Sequence, residues 1–395
     1  MSGNFLVFTI LIGVIRISAK LRQLRSTLGV GSMNVREHLF AGALVGFISV
    51  FALSPAYANP AVEKAATGTT LSAAQVNQVV AIVDSLTAIT GSVSQSTISG
   101  IISSILNTST SSLDERPVFQ FDREGFQTTD SGASAGGADG KLAMWVNGGY
   151  STFDEDQAAI DSDGDTFSLA VGGDWKFSDR LTAGVSLAYS NSDVTTTFND
   201  GNVDTTGYTV APYFVAILGR NQNVLLDGMV GYTMNDNDAD RATNTITSSY
   251  DSGGWLANAN VTYLLTRGRF IVQPKIGLLW SDTTTDGYTE SGGLVVAETD
   301  SQLGRLSVGG RVDYVLSEKF VPYISLQGEY DFESEDYSSF TGANRPSQED
   351  TGATLGVGAS LQFSDRTSGS IGATTALGRD DYSAYTLSGT LRFSF

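Results

Sequence analysis

The sequence predicts an all-β chain, a transmembrane antiparallel β-barrel of twelve strands behind a short helical and linker segment. Three observations carry that prediction. From Lys141 onward no stretch approaches a transmembrane helix, yet strand-length runs of period two recur to the last residue. The polar faces of those runs carry ions that a soluble sandwich would have to bury at high cost, whereas a hydrated lumen leaves them solvated. Short and long links alternate along the chain, as they do where one end of a barrel faces a periplasm and the other the outside.

Composition narrows the function classes. The 395 residues contain no Cys, so neither a thiolate metal site nor a disulfide framework is available. A net charge of −19 disfavours nucleic acid, whose phosphates are bound by an excess of Lys and Arg.

Residues 33–58 read as a signal peptide. Met33 opens a short polar stretch, an apolar run follows from Leu39 to Leu53, and Ala56-Tyr57-Ala58 forms an A-x-A cleavage site that would leave Asn59 as the new N-terminus. The run is shorter than the roughly 20 apolar residues of a membrane anchor and ends in Ser54-Pro55. Residues 1–32 hold a second apolar run with basic residues after it, read as an upstream start chosen in place of Met33, or as an extended signal. Five of the 23 bases and one of the 42 acids precede residue 59, so the processed chain carries a net charge of −23.

Residues 59–130 form a short, partly helical segment. Ser72-Ala-Ala-Gln75 has the form of a capping box, and Val76, Val79, Val80, Val83 and Leu86 follow at helical spacing. Ile98, Ile101, Ile102 and Ile105 make a second stripe. The two could pair, occupy a pore, or form a small exported domain. Residues 131–140, Ser-Gly-Ala-Ser-Ala-Gly-Gly-Ala-Asp-Gly, are a flexible linker.

Within 141–395 the lipid-facing sets are Leu181, Ala183, Val185, Leu187 and Tyr189; Val224, Leu226, Val230 and Tyr232; Trp255, Ala257, Val261, Tyr263 and Leu265; Phe270, Val272, Ile276, Leu278 and Trp280; and Leu306, Val308, Val312 and Tyr314. The opposite faces supply the lumen-facing charged candidates Asp174, Lys176, Asp227, Lys275, Arg305, Arg311, Asp313, Glu329, Asp331 and Arg392. Arg305, Arg311, Asp313 and Glu329 either order a plug or set ion preference as a network, or are ordinary solvated residues. Five short links, near residues 179, 221, 267, 318 and 365, alternate with six long ones at 154–164, 192–206, 235–252, 282–300, 332–350 and 378–383. Eleven links join twelve strands and leave both chain ends on the periplasmic side.

The last strand ends the chain on an amphipathic edge. Tyr385, Leu387, Leu391, Phe393 and Phe395 share one face, and Thr386, Ser388, Thr390, Arg392 and Ser394 the other. Such an edge needs a partner strand, and the first strand, near Leu142 to Tyr150, is the one that closes the barrel.

Enzymatic chemistry finds little support. The only His, His38, lies in the signal and would be removed with it, which argues against a His general base. Asn107 is the only Asn between Gln78 and Asn147, so no Asn-Asn pair for linker self-cleavage precedes the first strand. Asp161-Ser-Asp163-Gly-Asp165 resembles the start of a calcium loop but lacks the closing Glu; it and the acidic run 235–240 read as solvated external loops or weak divalent-cation sites. No catalytic, cofactor or metal site is assigned.

At this point the residues resemble a known family, the autotransporter β-domain, the translocator of type V secretion. The likeness lies in Ala143-Met-Trp-Val-Asn-Gly-Gly-Tyr150, in the run from Phe167 to Ser190, in Leu226-Asp-Gly-Met-Val-Gly-Tyr232 with Arg241 after it, and in the terminal Phe395. The resemblance implies a twelve-stranded barrel in the bacterial outer membrane, contacting lipid and lipopolysaccharide, whose lumen holds the segment leading to an exported passenger. It also implies that the strand bearing Tyr385, Leu387, Leu391, Phe393 and Phe395 is read by the barrel-assembly machinery. Here the passenger would be very short, and a Gly/Ser/Ala linker stands where the family usually places a helix. A small porin-like channel, or a structural or adhesive protein acting through its acidic loops, are the alternatives.

Overall fold

The computed structural model describes residues 141–157, 161–219, 221–333 and 350–395. The signal peptide, helical stripes and linker read from residues 1–140 lie outside the described residues. Among those residues, twelve long strands follow one another in antiparallel meander: β1 Leu142–Glu155, β2 Ser162–Ser178, β3 Leu181–Thr196, β4 Gly201–Leu218, β5 Val224–Arg241, β6 Ile246–Tyr263, β7 Phe270–Thr285, β8 Thr299–Tyr314, β9 Phe320–Glu333, β10 Thr351–Ser364, β11 Thr367–Leu377 and β12 Tyr382–Ser394. The last pairs with the first from Ala143 opposite Ser394 to Glu155 opposite Tyr382, so the sheet has no open edge. Closure satisfies the backbone of every strand without water, which is what a bilayer demands.

Alternation sorts most of the side chains, although Leu226 and Ala257, expected against lipid, are buried. Val171, Val185, Leu187, Ile276, Val308, Leu326, Ile371 and Leu387 are exposed on the outside, while Asn147, Ser168, Ser190, Thr209, Asn235 and Thr390 on the other parity are buried toward the lumen. The outward apolar band is bounded by two aromatic girdles. Toward the external end Tyr189 lies 5.6 Å from Tyr208 and Tyr232 5.0 Å from Trp255, while at the periplasmic end Phe270 lies 5.1 Å from Tyr314.

The periplasmic connections are tight, as their sequences require. At Arg267-Gly268-Arg269 the chain reverses through a φ of +58° at Gly268, a conformation that glycine adopts without a Cβ penalty. The external connections correct the sequence reading. β3 and β4 are joined by residues 197–200 and β5 and β6 by 242–245, much shorter than the loops expected at 192–206 and 235–252. The polar residues there are strand residues. β5 has 18 residues, about 60 Å at roughly 3.4 Å each, so even when tilted it outruns an apolar band about 25 Å tall. Its outer end stands in water and can be acidic while still strand.

The same extension produces a row of four carboxylates on the outer surface. Asp165, Asp193, Asp204 and Asp238 are direct neighbours across β2, β3, β4 and β5. Like charges placed opposite one another repel. Asp204, on the part of β4 that projects beyond the outer girdle, is held above the usual carboxylate range, by partial burial first and then by Asp193, Asp238 and Asp240. Asp163 and Asp165 are outward strand residues, so the calcium-loop reading has no loop to occupy.

Candidate functional site

Strands from all sides present side chains to one another in the lumen, and its wall has two characters. On the β1 to β8 side an apolar belt runs through Trp145, Ala170, Ala188, Ala211, Met229, Leu256, Leu279 and Leu303, all buried. A uniformly polar lumen was expected, and this belt departs from it. Its residues are mostly isolated apolar positions whose neighbours on the same face are polar or glycine, such as Leu256 between Gly254 and Asn258. Only the staggered closure of the sheet lines them up.

On the opposite side and toward both ends the wall carries ions. In the periplasmic half, the Arg392 guanidinium grips Asp174 with both forks, at 2.7 and 2.6 Å. Tyr213 donates its hydroxyl to the same carboxylate at 3.0 Å, and the Trp145 indole N–H donates to Tyr213 at 2.7 Å. The amide of Asn147 donates to Thr390 at 2.8 Å. These contacts tie β12 to β1, β2 and β4 across the closing seam. The fit needs glycine beneath it, because a Cβ at Gly172 would lie 2.3 Å from the Trp145 ring. Nearby, Asp227 accepts from Asn260 at 2.7 Å, and Asp313 accepts from Gln273 at 2.6 Å and from Arg311. Arg311 also lies 3.6 Å over the Tyr323 ring.

In the external half Arg305 donates to Asp331 at 2.6 and 3.0 Å and sits 3.3 Å from Glu329. Arg379 donates to the same Asp331 at 2.7 Å, and Thr354 donates to Glu329 at 2.6 Å. The four residues read from the sequence as one network thus divide into two, Arg305 with Glu329 and Arg311 with Asp313. Asp331 belongs to the first. Lys275 is half-buried on the lumen parity of β7.

Lys176 is the exception. It has lumen parity, but it stands two residues before the end of β2, where the ladder slips a register, and pairs with exposed Asp179 at 2.9 Å. It is a rim residue. The sequence reading missed Trp145, Tyr213, Arg379 and the Arg241–Glu290 pair. Strand parity would have nominated Trp145 and Tyr213, but Arg379 and Glu290 lie in loops, where parity is silent.

The external mouth holds one more constellation. Phe153, Val194, Val203, Ala239 and Tyr250 form an apolar collar from β1, β3, β4, β5 and β6, with Tyr382 and Ala384 of β12 packed against it. The link between β7 and β8, residues 286–298, turns back over it. Its short hairpin, Tyr288–Thr289 against Val295–Val296, places Tyr288 and Val296 in the collar.

This geometry is that of an outer-membrane transport barrel, and the comparisons agree. The autotransporter beta-domain family is matched over residues 144–374. The chain belongs to that family. Its barrel is similar to the translocator domain of the autotransporter NalP from Neisseria meningitidis, at 18% identity and a TM-score of 0.55 over 65% of this chain and 89% of that one. The transport unit of the autotransporter AIDA-I from Escherichia coli aligns at 17% identity and a TM-score of 0.53, covering 75% of this chain and 98% of that one. The beta domain of the Bordetella autotransporter BrkA aligns at 18% identity and 0.53, over 65% and 100%. No curated protein matches the chain. Identities this low speak for the fold, and family membership places the autotransporter barrel in the bacterial outer membrane.

Proposed function

We propose that this autotransporter barrel holds its own N-terminal segment in the lumen and passes its leading part to the cell surface. The observation that carries the reading is the apolar belt, since Leu256, Leu279, Leu303 and Met229 are lumen-facing groups that a water-filled pore would leave wet. The stripe Val76, Val79, Val80, Val83 and Leu86 offers a matching apolar face, and its Asn, Gln and Ser flank would turn to the Arg–carboxylate wall. The linker 131–140 leads from this N-terminal segment into β1, which begins at Leu142 at the end of the barrel where the short links lie. An epitope tag near residue 65 is expected to be removed by protease added to intact cells. A tag that stays protected while the barrel is present would sink surface exposure.

Export through the signal at 33–58, with cleavage after Ala58, delivers the chain to the periplasm in this reading. Lipid and lipopolysaccharide surround the barrel, and the role is transport rather than catalysis. The barrel-assembly machinery reads β12, whose Tyr385, Leu387, Leu391 and Phe393 face outward and whose end, Phe395, is exposed beyond the strand. The backbone N–H of Phe395 donates to Leu142 at 2.9 Å, so the signal sits on the closing seam. Deleting Phe395 is expected to lower the amount of heat-modifiable barrel in the outer membrane several-fold, with a periplasmic remainder. Undiminished levels would remove the residue from assembly.

A further inference from the structure

We propose that the β7–β8 link, residues 286–298, is a hinged lid that shuts the external mouth of the lumen and swings outward to open it. The closed position is defined by side chains. Tyr288 stacks on Tyr250 with ring centroids 4.3 Å apart and an interplanar angle of 16°, and Val296 fills the collar beside it. Glu290, 4% exposed, accepts the Arg241 guanidinium through both oxygens, the Nε contact at 2.9 Å. Ser291 and Thr247 exchange two bonds: the backbone N–H of Ser291 donates to the Thr247 carbonyl at 2.8 Å, and that of Thr247 to the Ser291 hydroxyl at 2.9 Å.

Those contacts can be released without disturbing the barrel. The lid hairpin is only two residue pairs long and adds no strand to the barrel ladder. Its base is a glycine, Gly287, packed so closely that a Cβ would lie 3.1 Å from the backbone nitrogen of Glu298, and Gly293 turns its tip with a φ of +84°. Closure also carries a standing penalty, because the Tyr250 hydroxyl is buried with no hydrogen-bond partner. Opening hydrates that hydroxyl and exposes Arg241 and Glu290 to water, which offsets part of the lost apolar contact. Two states separated by a small difference are the requirement for a gate. The lid is distinct from a lumenal segment: it closes the mouth from outside whether or not the pore below it is filled.

Because the chain has no Cys, a single introduced thiol reports the gate. Ser252 lies on β6, buried on the lumen face just below Tyr250. In intact cells expressing the full chain, Ser252→Cys is expected to react slowly with a membrane-impermeant maleimide. Adding Tyr288→Ala and Glu290→Gln should speed the reaction by roughly tenfold or more, the size of a modest population shift. Thr243→Cys, in the exposed external β5–β6 turn, should react fast in both backgrounds. Glu290→Gln alone, which leaves the collar intact, should give an intermediate rate. Fast labelling of Ser252→Cys with the native lid overturns the proposal, and so does equally slow labelling in the lid variants. The epitope-tag result is independent of either outcome, so the lid and the threaded segment can fail separately.

Discussion

Arg392→Met is expected to destabilise the folded barrel by about 3–5 kcal/mol, because removing one partner of a buried ion pair leaves the other charge uncompensated. Asp174 and Arg392 are 3% and 8% exposed, and the guanidinium holds the carboxylate with both forks. Without Arg392 the carboxylate keeps only the Tyr213 hydroxyl from the network. The pair also straddles β1, joining β2 to β12 across the seam where the first and last strands meet. Loss of the clamp therefore weakens the step that closes the sheet. Equilibrium urea unfolding in lipid vesicles measures the effect.

Asp174→Asn is expected to cost a similar amount for the mirror-image reason, since it strands Arg392. The double variant separates charge from shape. Asp174→Asn with Arg392→Met removes both charges but keeps an oxygen for the Tyr213 donor, so it should recover much of either loss. Recovery of that kind needs a coupling larger than the cost of either single variant, above about 3–5 kcal/mol, and that is the expected reading of the cycle. Strict additivity would mean that the ions act separately and that the seam does not depend on their pairing.

How much of this was legible beforehand follows from what each residue needs. Period-two alternation depends only on neighbours in sequence, so the outward set from Leu181 to Tyr189 and the closing strand from Tyr385 to Phe393 could be read directly. Strand count followed from the alternation of short and long links, and the twelve strands close as expected. The external strand ends were misread because acidic residues such as Asp236, Asp238 and Asp240 signal water, and water was equated with loop. In a barrel that outgrows its bilayer, strand and solvent coincide. The lumen was read in part. Asp174, Asp313, Asp331 and Arg392 were nominated by parity, but the pairing of Asp174 with Arg392 was not, because they are 218 residues apart and only register brings them together. The collar and its lid were illegible for a different reason. Tyr288 and Glu290 lie in a loop whose path is decided by contacts with β5 and β6 rather than by local pattern.

Two arginine substitutions on one face of β3 test the inside-out architecture through depth and local charge. Leu187 is 59% exposed in the structure, opposite Val171 on β2 and Val210 on β4, and therefore lies against lipid. Leu187→Arg is expected to cost about 2–4 kcal/mol, the range for a cation near the middle of the lipid face of a barrel. Asp193 lies on the same face six residues further out, beyond Tyr189, opposite Asp165 and Asp204. At that depth the same side chain costs roughly 0–1 kcal/mol, and it also replaces a repulsive cross-strand contact on each side with an attractive one. Asp193→Arg is therefore expected to leave stability unchanged or raise it, most clearly at low salt, where exposed charges are least screened. Urea unfolding of the two variants in vesicles reads the difference. Equal costs would mean that the residues flanking Leu187 do not face hydrocarbon, and the assignment of the apolar band to the bilayer would fail with them.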